Sequence, residues 1–124
     1  MKVLKLIITF LLAALMLFGA FNHVYAPEIY APFIPDFFWE SFVNIVSAIA
    51  EGIIGIALIV PKYRRWGGLG FCILMILFLP IHIWDFTKEI PAIGSKLAAG
   101  IRLAVQFLFI AAGWWIYKTS PKTT

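Results

Sequence analysis

Residues 41–60 read SFVNIVSAIAEGIIGIALIV, an apolar run in which Glu51 is the only charged side chain. A helix rises about 1.5 Å per residue, so a run of this length matches a bilayer core of roughly 30 Å. Similar runs recur along the chain, and we predict membrane spans at about residues 3–21, 41–60, 67–86 and 97–117. The sequence therefore predicts one all-α domain over residues 1–124, an integral membrane four-helix bundle.

The composition supports a membrane protein and argues against a soluble one. Hydrophobic residues make up 63% of the 124 residues and charged residues only 13%, whereas soluble domains carry about 25% charged residues. The net charge of +4 comes from basic residues at the ends of the predicted spans. We therefore expect the lipid bilayer, and no nucleic acid, as a partner. The single cysteine, Cys72, cannot form an internal disulfide or a redox pair.

Lysine and arginine are distributed unevenly between the two sides of the predicted bundle. The first loop of one side, residues 23–40, has neither, whereas Lys62, Arg64 and Arg65 crowd the short turn on the other. Positive residues favour the cytoplasmic side, so both termini are expected there. We predict a multi-pass protein of the plasma (inner) membrane of a prokaryote, with residues 23–40 outside. Pro27, Pro32 and Pro35 break any long helix in that loop, which we expect to cap the bundle.

The first span can also be interpreted as a secretory signal peptide. Met1 to Lys5 is basic, an apolar stretch follows, and Val24-Tyr25-Ala26 fits the small-x-small pattern of a cleavage site. Removal of residues 1–26 would leave three spans. We favour retention, because the apolar stretch is long for a signal peptide and Asn22-His23 precedes the site.

Glu51 is the most informative residue, because an ionised carboxylate inside a membrane costs at least about 2.5–3.5 kcal/mol. It must be paired, hydrogen-bonded or protonated, either for function or as a structural tie between helices. Helical spacing puts it on one face with other polar or small residues, namely Asn44, Ser47, Ala48 and Gly55. This face is expected to point into the bundle.

The other spans carry matching polar residues at similar depth. Span four has Arg102 and Gln106, which we expect to be the partners of Glu51. Span three has His82 and Asp85 on one face, just after Pro80. Together these residues predict a polar pocket in the outer half, open or half-open to the outside and closed toward the cytoplasm by apolar packing. Its candidate ligand-binding residues are Glu51, Arg102, Gln106, His82, Asp85, His23, Asn22 and Asn44. The cluster Gly67-Gly68-x-Gly70 is expected to permit close helix packing.

The residues of this pocket suggest four kinds of chemistry: haem binding, metal binding, proton transport and catalysis. His23 and His82 could be axial haem ligands, but an isolated histidine at a helix end is more often an interfacial polar residue, and we do not expect haem. No metal-ligand spacing is present, so we predict no metal site. Glu51 could serve a proton-coupled carrier. Small multidrug transporters also have four spans and one membrane glutamate, but theirs lies in the first helix. No catalytic Ser-His-Asp or Cys-His group is evident, so we do not expect stand-alone catalysis.

The order of short motifs resembles the DoxX-like family of small four-span membrane proteins. The resemblance runs from about Gly19 to Trp115. Its motifs are Gly19-x-x-Asn22-His23, Pro27 and Pro35, Ala50-Glu51-Gly52-x-x-Gly55, Pro61-x-x-Arg64-Arg65, Pro80-x-His82 and Arg102-Leu103-x-x-Gln106. Two positions depart from it, since many relatives have asparagine at His82 and proline at Ala104.

The resemblance implies the fold more firmly than the activity. Some DoxX-like proteins resemble subunits of quinone-linked oxidoreductases, and others look like accessory or assembly factors, including an animal receptor chaperone. Related redox proteins use cysteine pairs, which this chain lacks. Our first hypothesis is an accessory or subunit protein that binds a small ligand or a membrane-protein partner, or that forms a homo-oligomer. The alternatives are a quinone-linked oxidoreductase subunit, with quinone as the cofactor, and a proton-coupled carrier that uses Glu51.

Overall fold

A computed structural model describes residues 2–122 of the protein. Met1, part of the signal-like segment, lies outside the described residues, as do residues 123 and 124. The described part is helical and contains no strand, with α1 at Lys2–Tyr25, α2 at Glu40–Ile59, α3 at Arg64–Thr87 and α4 at Lys96–Thr119. All four helices are long and apolar enough to cross a membrane. The prediction of an all-α architecture with four helices long and apolar enough to span a membrane is thus confirmed.

Side chains and short turns close the helix ends. The α1–α2 loop, residues 26–39, contains two 3₁₀ turns at Pro27–Ile29 and Ala31–Phe33, each with a proline near its start. At the end of α2, Arg64 Nε donates to the Leu58 carbonyl at 2.9 Å, and Arg64 Nη2 donates to the Ile59 carbonyl at 2.9 Å. These bonds satisfy two carbonyls that lack a partner within the helix. At the start of α4, the Ser95 hydroxyl accepts from the Ala98 N–H at 3.1 Å.

The helices are arranged as two hairpins. Helix α1 packs along α2, and α3 packs along α4, while α2 and α3 join the two pairs. Helices α1 and α4 barely touch, and α2 lies diagonally across the bundle from α4. We call the half that contains the α1–α2 loop the loop half, and the half that contains the chain ends the termini half.

The termini half has an apolar core. Its buried members come from all four helices: Leu12, Ala13, Met16, Leu58, Phe71, Leu74, Met75 and Ile116. Outside this core, large apolar side chains such as Phe10, Ile53 and Leu108 are exposed around the bundle, as expected where lipid replaces water. The predicted apolar closure on one side of the pocket is therefore confirmed.

Glycines let α3 approach its neighbours closely. A Cβ on Gly113 would lie 2.8 Å from the Cys72 backbone nitrogen and 2.9 Å from the Gly68 carbonyl oxygen. A Cβ on Gly67 would lie 2.8 Å from the Leu58 backbone nitrogen. The nearest atoms are backbone atoms, which cannot swing aside as a side-chain tip can. The prediction that Gly67 and Gly68 permit close packing is confirmed, and Gly113 is the partner on α4.

Gly113→Ala is expected to destabilise the bundle, because the new methyl group would push α3 and α4 apart. Forcing extra volume into a packed contact costs about 1–3 kcal/mol. The measurement is denaturant or thermal unfolding of the detergent-solubilised full chain. Gly52→Ala is the matched control, since its Cβ would find its nearest neighbour at 3.9 Å. Equal stability of the two variants would contradict the close crossing.

Candidate functional site

Glu51 lies in the loop half, between α2 and α1, and its partner is a histidine. His23 Nε2 is 2.9 Å from Glu51 Oε2, and each side chain is 8% exposed. That carboxylate oxygen has no aligned hydrogen bond, so the contact is primarily electrostatic. On the other edge of the ring, His23 Nδ1 lies 2.7 Å from Asn44 Oδ1. The three side chains form a buried polar chain from Asn44 through His23 to Glu51.

The hydrogen bonds assign the protons of this chain. Asn44 Nδ2 donates to the Glu40 carbonyl at 3.2 Å, which leaves Asn44 Oδ1 as the acceptor for His23 Nδ1–H. His23 Nε2 is the ring nitrogen that faces the Glu51 carboxyl group. An imidazole beside a carboxyl group makes this pair a protonatable site inside the membrane-spanning region.

Gly19 and Tyr30 complete the surroundings of the pair. A Cβ on Gly19 would lie 2.6 Å from Glu51 Oε1, so the absence of a side chain there makes room for the carboxylate. The Tyr30 ring stacks on the His23 imidazole with centroids 3.7 Å apart. Burial, and secondarily the charge of Glu51, raises the pKa of the Tyr30 phenol above its ordinary value. Tyr30 is therefore uncharged at physiological pH and packs against the His23 ring as a neutral side chain.

The expected pairing of Glu51 with Arg102 is wrong. Among residues 2–122 the ion-pair contact of Glu51 within 4.0 Å is with His23. The reason is topological, because Arg102 lies on α4, diagonally across the bundle from α2. The Arg102 guanidinium instead lies over the Phe33 ring, 4.4 Å from its centroid. Its Nη1 is buried without a hydrogen-bond partner among the described residues.

Gln106 was also expected to bind Glu51, and it binds α3 instead. Its Nε2 donates to the Met75 carbonyl at 2.7 Å. Pro80 removes the helical donor for the neighbouring carbonyl of Ile76, so Gln106 bonds within the turn that the proline loosens. His82 lies two residues after Pro80, and its Nδ1 is buried without a hydrogen-bond partner among residues 2–122.

Asp85 does not belong to the pocket, although the spacing from His82 suggested that it would. It is 1% exposed, and its Oδ1 accepts from the Ala92 N–H at 2.7 Å. Lys88 Nζ is 3.6 Å from the same oxygen. Asp85 therefore fixes the connection between α3 and α4, a role that its position near the end of α3 explains.

The polar residues border a cavity of about 380 Å³ in the loop half. This volume lies within the range of small-molecule sites, roughly 300–1,000 Å³. Six of the eight candidate residues line it, namely Asn22, His23, Glu51, His82, Arg102 and Gln106. Asn44 lies behind His23, and Asp85 lies elsewhere. The candidate list omitted Tyr30, Phe33 and Ile34, loop residues that line the cavity. The aromatic, proline-rich composition of the loop was the available signal.

The positions of the histidine, cysteine and acidic side chains are relevant to two alternatives, a metal site and a haem site. Within the described chain, no three His, Cys, Asp or Glu side chains are grouped so that they could hold a metal ion. Both ring nitrogens of His23 face protein partners, so haem ligation by His23 would have to break one of those contacts. Among the described residues that line the cavity, the buried polar atoms without a hydrogen-bond partner are Glu51 Oε2, His82 Nδ1 and Arg102 Nη1.

Comparison with known protein families identifies one whose sequence model matches this chain. The sequence model described as "Domain of unknown function (DUF8561)" matches residues 12–117, which includes every residue that lines the cavity. Neither the curated proteins nor the solved structures contain a match.

A double-mutant cycle should identify His23 as the partner of Glu51. Residues in direct contact show coupling energies of about 0.5–3 kcal/mol, so the cycle of His23→Ala with Glu51→Ala is expected to be non-additive. The matched cycle of Arg102→Ala with Glu51→Ala should show weaker coupling. Both cycles are measured by unfolding the full chain in detergent. Stronger coupling in the Arg102 cycle would contradict the observed pairing.

Proposed function

We propose that this chain, which belongs to the DUF8561 family, is an accessory or subunit membrane protein that binds a small ligand within the bundle. The observation that carries this proposal is the cavity of about 380 Å³, which has polar groups on facing helices and an apolar remainder. Keeping ionisable groups in the membrane is costly. A bound ligand that uses them accounts for that cost better than a structural tie alone.

The chemistry of the cavity favours binding over catalysis. The ionisable side chains that the helices contribute to its lining are an imidazole–carboxyl pair, a guanidinium and a second imidazole. Cys72, the one cysteine of the sequence, is buried in α3 and does not line the cavity. A cysteine pair for quinone reduction is therefore missing from this sequence. A quinone could still be held as a cofactor of a partner oxidoreductase, and this forms our second candidate.

The DoxX-like resemblance supports the same class of function. Six of its positions line the cavity, namely Gly19, Asn22, His23, Glu51, Arg102 and Gln106. His82, where many relatives have asparagine, also lines it. We propose that this difference changes which ligand the pocket accepts. A membrane-protein partner or a second copy of the chain would cover part of the exposed apolar surface of the helices.

We further propose a plasma-membrane protein of a prokaryote with both termini in the cytoplasm. Seven of the ten lysines and arginines lie in the termini half. Reporters fused to either end of the full chain should therefore both read as cytoplasmic, and a reporter inserted in the α1–α2 loop should read as external. Opposite signals from the two ends would overturn the four-span topology.

Native mass spectrometry of the gently extracted protein should detect a bound small molecule. Filling the cavity with Ser47→Trp should remove that molecule while the helical content remains. Ile53→Trp is the matched control, because Ile53 is 64% exposed on the outside of α2. Retention of the molecule in the Ser47 variant would place its site elsewhere, and an empty native protein would contradict the proposal.

The same experiment separates the alternatives. A quinone among the bound molecules would favour the oxidoreductase subunit. The contact between His23 and Glu51 inside the membrane-spanning region is the observation that favours a proton-coupled carrier. A carrier predicts proton flux in proteoliposomes that Glu51→Gln abolishes, with no ligand retained on extraction.

A further inference from the structure

One side of the cavity lies between α1 and α4, the two neighbouring helices that barely touch. On α1, Leu15, Phe18 and Asn22 share a face and line the cavity. Leu15 is 39% and Phe18 66% exposed, so these side chains border the cavity and the lipid at once. On α4, Val105 and Phe109 form the opposite edge. On this side, the cavity is therefore bordered by two helices with few mutual contacts and by side chains that are exposed on the outside of the bundle.

The two ends of the cavity are covered. In the loop half, Tyr30, Phe33 and Ile34 lie across it, and Ile34 is only 9% exposed. Toward the termini half, the apolar core of Leu12, Leu58, Phe71 and Ile116 closes the bundle. A molecule that reaches the cavity through the gap between α1 and α4 comes from the hydrocarbon region, so it must be soluble in lipid.

The polar side of the cavity contains a guanidinium that no carboxylate contacts. Among the described residues no carboxylate lies within 4.0 Å of the Arg102 guanidinium. Asp85 acts on Arg102 through its charge at longer range, while its Oδ1 accepts from Ala92 and contacts Lys88. Within residues 2–122, Arg102 Nη1 and His82 Nδ1 are both buried without a hydrogen-bond partner. Buried polar groups are normally satisfied, which points to a ligand that accepts hydrogen bonds at this place.

We propose that the cavity admits, sideways from the bilayer, an amphiphile with one hydrocarbon chain and a carboxylate headgroup. The headgroup would lie against Arg102, whose planar guanidinium can bind a carboxylate through two parallel N–H bonds. His82 Nδ1 would donate to the same group in its Nδ1–H tautomer. The chain would lie along Phe18, Val105 and Phe109 and leave through the gap into the bilayer. This inference rests on the proposed ligand-binding function and specifies its ligand class.

The volume agrees with a single-chain occupant. About 380 Å³ lies near the lower limit of small-molecule sites, roughly 300–1,000 Å³. Such a space fits a headgroup and the first part of one chain, and the rest can extend between the helices. A phospholipid would have to bring a larger headgroup and two chains through the same gap.

Photolabelling of the full chain in lipid nanodiscs tests this inference. The probe is a hexadecanoic acid that carries a diazirine and an alkyne, and the comparison probe is the corresponding neutral alcohol. The acid should label the protein, with cross-links mapped to the residues that border the gap. Arg102→Gln should reduce labelling by about tenfold or more, because it removes a charge-assisted hydrogen bond. Arg102→Lys should restore part of it.

Two controls separate binding from misfolding. Arg65→Gln makes the same chemical change in the termini half, where Arg65 lies 4.4 Å from the Tyr117 ring centroid, and it should label like the unaltered protein. Val105→Trp should block the gap and reduce labelling although Arg102 is retained. Each variant is compared at equal helical content.

The other outcomes contradict the inference. Equal labelling by the alcohol, or unchanged labelling of the Arg102→Gln variant, would overturn the carboxylate assignment. Competition by acetate as effective as that by a long-chain acid would overturn lateral access. If native mass spectrometry finds a different ligand and the acid probe does not label, this inference fails while the proposed function stands. If no ligand is found by either method, both fail.

Discussion

A carboxyl group in the hydrocarbon region of a membrane needs compensation, and in this protein Glu51 receives it from His23 at 2.9 Å. The histidine is in turn oriented by Asn44, so the interaction fixes the register of α1 against α2. Between lipid-embedded helices the hydrophobic effect gives little driving force, so polar contacts and close packing determine the arrangement. The first hairpin, formed by α1 and α2, is thus held together by the buried chain of Asn44, His23 and Glu51.

The second hairpin is held differently, and the contrast explains where the cavity forms. Helices α3 and α4 meet through Gly68 and Gly113, where backbone atoms of the two helices are in contact. This close crossing lies in the termini half, together with the apolar core. In the loop half the hairpins are lined by longer polar side chains, and α1 stays apart from α4. Two different modes of helix association therefore leave space at one end of the bundle and none at the other.

The helices themselves were predictable from sequence, because continuous apolar runs have few alternatives in lipid. The inward face of α2 was predictable too: Asn44, Ser47, Glu51 and Gly55 are all buried, as their helical spacing indicated. The partner of Glu51 was not, because periodicity orients a helix without saying which helix lies beside it. Depth in the membrane matched Glu51 with Arg102, and diagonal packing keeps them apart. The contribution of the α1–α2 loop to the cavity lining was not predictable either. Its backbone is irregular, so no periodicity indicates which of its side chains face inward.

The contact between α1 and α2 also has a consequence for biosynthesis. The ribosome completes α1 before α2, so His23 is already present when Glu51 reaches the membrane. The carboxyl group can be neutralised by a neighbour from the preceding segment, and the first hairpin can insert as a pair without waiting for the rest of the chain. Arg102 lies on the last helix, so its contact with the Phe33 ring can form only after the α1–α2 loop and the first three helices have been synthesised. The two buried charged side chains thus meet their contacts at different stages of synthesis, Glu51 with the first hairpin and Arg102 with the last helix.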